Sequence, residues 1–339
     1  MKILHYQLGS HGGSETFFVQ LVQALDQKGV EQKVVIGPNR MWREQLPEAV
    51  EVIAETAYRT LSLDRFHQRR HIAGVIDRWQ PSSLLSWMRR GSRMLPTRSQ
   101  CKKFARLGDL ESDLRDYRKA DTLICVAPPV AEHARRLGWR GGIEVISNFK
   151  STVQAEPVQR NQFDTPMEVP LICVMGRLTQ GKGVDMIIRS LLQIPLAHLW
   201  IVGDGKEKSA LEHLSKSLNL DHRIHFLGWQ QEPLRFLAAA DVLGFASRKE
   251  ALGNVILEAW SQKVPVVSTR AEGPNWLIRD HNNGRLVDID DELAFAQALK
   301  DLLNDPLSAE TMTVNGFHCL QSEFSQHAVV DRYLGLLVT

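Results

Sequence analysis

Short apolar runs alternate with stretches of helical spacing along almost the whole chain, and the alternation comes in two series. The first series runs KILHYQL from Lys2, KVVIG from Lys33, EVIAE from Glu51, SSLLSWM from Ser82, DTLICVA from Asp121 and IEVIS from Ile143. The second runs LICVMG from Leu171, HLWIVG from His198, RIHFLGW from Arg223, DVLGFA from Asp241, VPVVST from Val264 and GRLVDI from Gly284. Runs this apolar suit strands covered on both faces, and strands separated by helices pair in parallel through crossovers. The pattern predicts an α/β chain made of two Rossmann-like, doubly wound domains. Between the series, Thr152 to Pro170 is polar, proline-bearing and without period, which predicts a connecting segment. The expected division is a first domain over 1–155, a linker over 156–170 and a second domain over 171–322. The terminal segment 323–339 is amphipathic and long enough to cross back onto the first domain.

The 339 residues suffice for two cores. The first strand follows the initial methionine at once, with no apolar stretch of signal-peptide or membrane-span length, so a cytoplasmic location is expected. Cys101, Cys125, Cys173 and Cys319 are far apart and in no CxxC pair, which predicts reduced thiols rather than a zinc site or a disulfide frame. Net charge is only +2, yet residues 1–160 carry 25 Lys+Arg against 17 Asp+Glu, so the cationic excess belongs to the first half. Its densest part is Arg89, Arg90, Arg93, Arg98, Lys102, Lys103 and Arg106, with no acid between them. A phosphorylated acceptor, an anionic membrane surface, nucleic acid and a simple solvated face all remain open as its partner.

Several loops at strand ends carry chemistry. The first strand of the second series runs into Gly176-Arg177-Leu178-Thr179-Gln180-Gly181-Lys182-Gly183-Val184-Asp185, a basic glycine turn suited to phosphate. The next ends at Gly203-Asp204-Gly205, and the third at Gly228-Trp229, where backbone just after the indole can meet a base while the indole itself packs. In Ser247-Arg248-Lys249-Glu250-Ala251-Leu252-Gly253-Asn254, a strand delivers Glu250 to a loop and Gly253 and Asn254 open a helix that carries Glu258. The free N–H groups and positive dipole end at such a helix start are suited to a diphosphate. Carboxylates on either side can accept from sugar and ribose hydroxyls. Asp288-Ile289-Asp290-Asp291 matches a DxD metal pattern, but it precedes a helix and is expected to cap it.

Taken in order, G-R-L-x(3)-K-G-V-D, V-G-D-G, F-L-G-W, E-x(7)-E and V-P-V-V-S-T-x(3)-G-P resemble the retaining family-4 glycosyltransferases of the GT-B fold, including enzymes of lipopolysaccharide core and surface polysaccharide synthesis. The resemblance covers roughly residues 170 to 300. Gly12 and Gly13, in the first loop, also look like that family's opening glycine turn. It implies two domains facing across a cleft, with the acceptor on the N-terminal and a UDP-, GDP- or ADP-sugar on the C-terminal one. It further implies that Arg177 and Lys182 hold the donor diphosphate, Glu250 orients the donor sugar and Glu258 holds the ribose. The amides of Leu252, Gly253, Asn254 and Val255 would complete the phosphate cradle, and Gly203 and Trp229 would border the nucleotide. The family's Gly-Phe after the first glutamate is Ala251-Leu252 here, which bears on donor selectivity.

The reaction so implied is retaining hexosyl transfer, with no cofactor and no metal, since cations and a helix end can meet the leaving diphosphate's charge. The strand end Leu84 to Arg90 has no histidine where the family often presents one, so no general base is assigned. The acceptor expectation is an anionic glycolipid or saccharide met by Arg89, Arg90, Arg93, Lys102 and Lys103, with a peripheral contact at the inner membrane and no nucleic acid. A sugar-nucleotide epimerase or hydrolase of the same fold, and a non-catalytic partner subunit, stand as the alternatives. A dinucleotide site is disfavoured, because Gly9-Ser10-His11-Gly12-Gly13 does not spell the fingerprint.

Overall fold

The structure, a computed structural model, describes residues 1–10, 12–56 and 63–338. His11, in the first glycine loop, lies outside them. The described chain divides into two compact units: residues 1–149 with the segment from Gln326, and Lys150–Ser325.

In the first unit, β1 (Lys2–Gln7), β2 (Glu31–Ile36), β3 (Glu51–Glu55), β4 (Ser83–Trp87), β5 (Lys102–Leu107), β6 (Thr122–Cys125) and β7 (Gly142–Val145) form one sheet in the order β3-β2-β1-β4-β5-β6-β7. Every pairing is parallel, with Ile3 opposite Gln32 on one side of β1 and opposite Ser83 on the other. The second unit holds β8 (Leu171–Met175), β9 (His198–Val202), β10 (Ile224–Gly228), β11 (Val242–Phe245), β12 (Val266–Thr269) and β13 (Arg285–Val287) in the order β10-β9-β8-β11-β12-β13, again all parallel. These are the two doubly wound sheets that the apolar runs predict.

Among the described strands, β5 is the one that the apolar runs do not announce. Its sequence, KKFARL, hides an interior strand inside the cationic run. Lys103 at its start pairs with Asp121 (3.3 Å). Arg106 is 3% exposed and donates to Ile146 O (3.1 Å), the Tyr333 hydroxyl (2.7 Å) and Asn148 Oδ1 (2.5 Å). Its guanidinium also lies 4.6 Å from the centre of the Phe17 ring. Burial pushes the arginine's pKa down and that of Tyr333 up, so the pair is held by geometry where water no longer helps.

Tyr333 belongs to the helix Gln326–Val338, whose Val329, Val330 and Leu337 join the first unit's core with Phe17, Leu21 and Leu25. The preceding helix, Pro306–Glu323, stays with the second unit. Of the two terminal amphipathic segments, only the last returns to the first unit. The polar stretch before β8 is not a loose tether either. Val158 N–H donates to Arg235 O (3.2 Å), Arg160 pairs with Asp241 (2.7 Å), and Trp200 Nε1 donates to Thr165 Oγ1 (2.8 Å). Its polar side chains reach backbone and charged groups of the second unit, which composition cannot show.

His5 sits wholly buried in β1. Its Nε2 lies 3.1 Å from Gln32 Oε1 and its Nδ1 3.4 Å from Trp87 Nε1, an arrangement that suits the neutral ring protonated on Nε2. Loss of hydration lowers its pKa to about 4, with the bond to Gln32 acting the other way.

Two outcomes follow from this core. Removing the hydroxyl that Arg106 donates to, by Tyr333→Phe, should cost about 1–3 kcal/mol in urea unfolding, because a buried charged donor loses one acceptor; an unchanged midpoint would show the bond to be unimportant. The unfolded chain takes up a proton on His5 near pH 6.5 and the folded one only near 4, so stability falls as pH drops through that window. Urea midpoints measured from pH 7.5 to 4.5 should therefore decline less steeply in His5→Gln than in the parent.

Candidate functional site

In a doubly wound parallel sheet, ligands bind where neighbouring strands send their chains to opposite sides, at the carboxyl ends. In the second unit that point lies between β8 and β11, because β9 lies beyond β8 and β12 beyond β11. The loops leaving these two strands are Gly176–Gly183 and Ala246–Gly253, which hold most of the site residues read from the sequence.

Close backbone approach locks the loops together. Gly183 has φ 64°, and a side-chain carbon there would lie 2.0 Å from Ala246 O. Gly203 has φ 147°, and its missing Cβ would lie 1.9 Å from Gly176 O. Only glycine tolerates both contacts. The V-G-D-G turn thus braces the phosphate-type loop by main chain, with Leu178 N–H donating to Asp204 O (2.9 Å) and Gly203 N–H to Gly228 O (2.8 Å).

With the loops so placed, Lys182 Nζ lies 2.5 Å from Glu250 Oε2 and 5.5 Å from the centre of the Phe245 ring. Ser247 Oγ is 3.4 Å from the same carboxylate oxygen, and Glu250 N–H donates to Glu272 Oε2 (3.2 Å). Arg177, exposed, lines a small pocket with Gly176, Lys182 and Ser247. Gly253, in the left-handed region at φ 94°, precedes the helix Asn254–Ser261, so Leu252, Gly253, Asn254 and Val255 surround its amino end. Glu258, one turn on, pairs through Oε1 with Lys150 Nζ (2.6 Å).

Several contributors escaped the sequence reading. Arg248 donates to both oxygens of Asp185 (2.9 and 2.8 Å), to Gln180 O (2.7 Å) and to Asp290 Oδ1 (2.7 Å), while its own N–H donates to Gly181 O (2.8 Å). Burial alone would raise the Asp185 pKa; the guanidinium's hydrogen bonds hold it lowered. One arginine thereby ties the loop of Lys182 to the loop of Glu250. Arg248 stands two residues before Glu250 and Asp185 ends the K-G-V-D motif, so that signal was present. For Lys150 there was none.

Other expectations change. Trp229 does not pack: it follows Gly228 at the end of β10 and is 73% exposed. A bulge between Phe226 and Gly228 shifts the register, and the strand ends at Gly228, still paired with Val202 and at φ 67°, so the indole lies just beyond the sheet. Of the DxD acids, Asp291 does cap the helix Glu292–Asn304, accepting from Ala294 N–H (2.9 Å). Asp288 and Asp290 instead pair with Arg270 and Arg248. Among the described residues no cluster of His, Cys, Asp and Glu is arranged to hold a metal.

In the first unit the corresponding point lies between β1 and β4. Gly12 precedes the helix Gly13–Gln27, and its carbonyl accepts from Thr16 N–H (3.1 Å). The cationic run is not one open face. Arg89 is held by Glu111 (3.1 Å), Asp113 (3.0 Å) and Asp116 (3.0 Å), and Arg93 by Asp116 as well. Hydrogen bonds to Asp116 and Asp113 raise the pKa of Arg89, while Asp113 is lowered first by Arg115 and Asp116 first by Arg93, with Arg89 adding to both. The run contains no acid because its counter-charges come from the loop after β5. Lys103 is paired as above, while Arg90 and Lys102 are exposed.

Residues 156–318 match the family described as "Glycosyl transferases group 1". Over all 339 residues the chain is 40% identical to the lipopolysaccharide core biosynthesis glycosyltransferase LpsE of Rhizobium meliloti (strain 1021), covering 99% of that protein. It is 38% identical over 336 residues to LpsD of the same strain, covering 99% of this chain and 98% of the relative. Among solved structures, Anabaena Alr3699/HepE in complex with UDP superimposes with a TM-score of 0.85 at 19% identity, over 99% of both chains. The chain therefore belongs to the group 1 glycosyltransferases, the family-4 type built on the GT-B fold.

Proposed function

We propose that this glycosyltransferase moves a hexose from a nucleoside-diphosphate sugar to an anionic saccharide or glycolipid acceptor, with retention at the anomeric carbon, in the assembly of lipopolysaccharide core or a related surface polysaccharide. The observation that carries the reading is the meeting of Lys182, Glu250 and the amino end of the helix Asn254–Ser261 at one switch point of a parallel sheet. The end-to-end similarity to LpsE supports the pathway, and the UDP bound by HepE supports a nucleotide donor.

As the glycosidic bond of the donor breaks, negative charge builds on the β-phosphate. Arg177, Lys182 and the N–H groups at the helix start meet that charge, and stabilising it there more than in the ground state is what speeds the step. Lys182 serves two partners. Its bond to Glu250 Oε2 aims the ammonium and leaves Oε1 to accept from a sugar hydroxyl. Glu258 spends Oε1 on Lys150, which leaves Oε2 for a ribose diol. Arg248 reaches neither group directly; it holds their two loops at fixed spacing. With cations and a helix end in these roles, and Asp288, Asp290 and Asp291 engaged in ion pairs and capping, donor binding needs no divalent cation.

The second unit would bind the donor and the first the acceptor. No helix of the described residues is long and apolar enough to cross a membrane. A cytoplasmic enzyme working at the membrane face, through exposed Arg90 and Lys102, is the reading consistent with a glycolipid acceptor.

A thermal-shift screen against UDP, GDP, ADP and their sugar conjugates should give a rise in melting temperature with one base, undiminished by EDTA; loss of the shift in EDTA would overturn metal independence. Lys182→Ala and Glu258→Ala should each weaken that nucleotide at least tenfold, since each removes a charge-assisted contact of about 1.5–3 kcal/mol. Unchanged affinity in both, with melting of the free protein preserved, would sink the site.

A further inference from the structure

The first unit contains a cavity of about 430 Å³ that the donor chemistry does not use. Among the described residues, five cations, Arg69, Arg93, Arg115, Arg118 and Lys119, line it against a single carboxylate, Asp116. That carboxylate is already engaged by Arg89 and Arg93, and Arg115 is paired outside the lining with Asp113. Arg69 and Arg118 form no ion pair among the described residues.

Lys119 cannot swing away from them. Two of its three ammonium protons go to Arg93 O (2.9 Å) and Leu95 O (2.7 Å), at the carboxyl end of the helix Met88–Met94, which leaves one donor. Its pKa is lowered first by loss of hydration, then by the charges of Arg69 and Arg118. The exposed guanidinium groups of Arg69 and Arg118 repel this held, partly dehydrated ammonium, and an anion between them would relieve the repulsion. Guanidinium pairs grip phosphate oxygens two at a time, and the volume falls in the range of small-molecule sites, larger than inorganic phosphate alone requires.

We propose that this cavity binds a phosphate ester carried on a saccharide, with Arg69 and Arg118 gripping the phosphate and Lys119 donating beside them. As the anionic part of an acceptor, that ligand rests on the transferase reading; as an anion site, the cavity stands without it.

Calorimetric titration of the full chain, without nucleotide and with EDTA, tests the assignment using a hexose 6-phosphate, the free hexose and inorganic phosphate. The hexose 6-phosphate should bind the parent and the Arg177→Gln/Lys182→Gln variant alike. It should bind Arg69→Gln/Arg118→Gln at least tenfold more weakly, and the free hexose should not bind. Equal affinity for inorganic phosphate, lost in the same variant, would overturn the saccharide while leaving the anion site. No binding to the parent, undiminished binding to Arg69→Gln/Arg118→Gln, or loss only in Arg177→Gln/Lys182→Gln would overturn the site itself. Because that last variant reports on the second unit, failure here is distinguishable from failure of the donor assignment.

Discussion

Backbone packed against backbone sets the positions of everything in the second unit's site. Gly183 against Ala246 O and Gly203 against Gly176 O bring three loops closer than any side chain would allow. Charge chemistry depends on this. The Lys182–Glu250 contact joins residues 68 apart in sequence, and it exists only because the loops that carry them leave adjacent strands β8 and β11 and touch. Arg248 then supplies the polar counterpart, bonding a carboxylate, two carbonyls and a second carboxylate across the same seam. Glycine contact sets the spacing, and the arginine keeps it from opening.

The first unit solves a different problem with the same materials. Its cations outnumber its acids, and the fold disperses them. Arg106 is drawn into the core, where three acceptors and the Phe17 ring replace its water. Arg89 is surrounded by three carboxylates. Outside the cationic run, Arg69, Arg118 and Lys119 line one hollow in which Asp116 is the single carboxylate among the described lining residues. Pairing of the run with nearby acids, beside a separate cluster of cations, is what turns a bulk charge excess into places of different chemical preference.

Much of this was legible in the residues. Among the described residues, twelve of the thirteen strands follow from apolar runs, since a strand buried on both faces must be apolar along its length. The exception, β5, carries three cations: Lys102 stays exposed at its start, Lys103 pairs with Asp121 and Arg106 is satisfied by distant partners. Site positions on glycine turns and at the start of a helix could be read because they rest on local geometry, as with Gly253 before Asn254. Trp229 differs from its expected packing because β10 ends at Gly228 and leaves the indole beyond it exposed, a matter of surroundings rather than of residue type.

Residues taken in chain order are enough for the α/β class, the two sheets, the residue types at each strand end and so the family to which the chain belongs. These depend on hydrophobic period and on motifs confined to a few consecutive residues. Only the tertiary structure decided which charges meet: Lys182 with Glu250, Glu258 with Lys150, Arg89 with the acids after β5, and Arg106 with Tyr333 across 227 positions. The physical reason is that Coulomb and hydrogen-bond energies fall off over a few ångströms, while separation along the chain says nothing about separation in space until the sheets are wound.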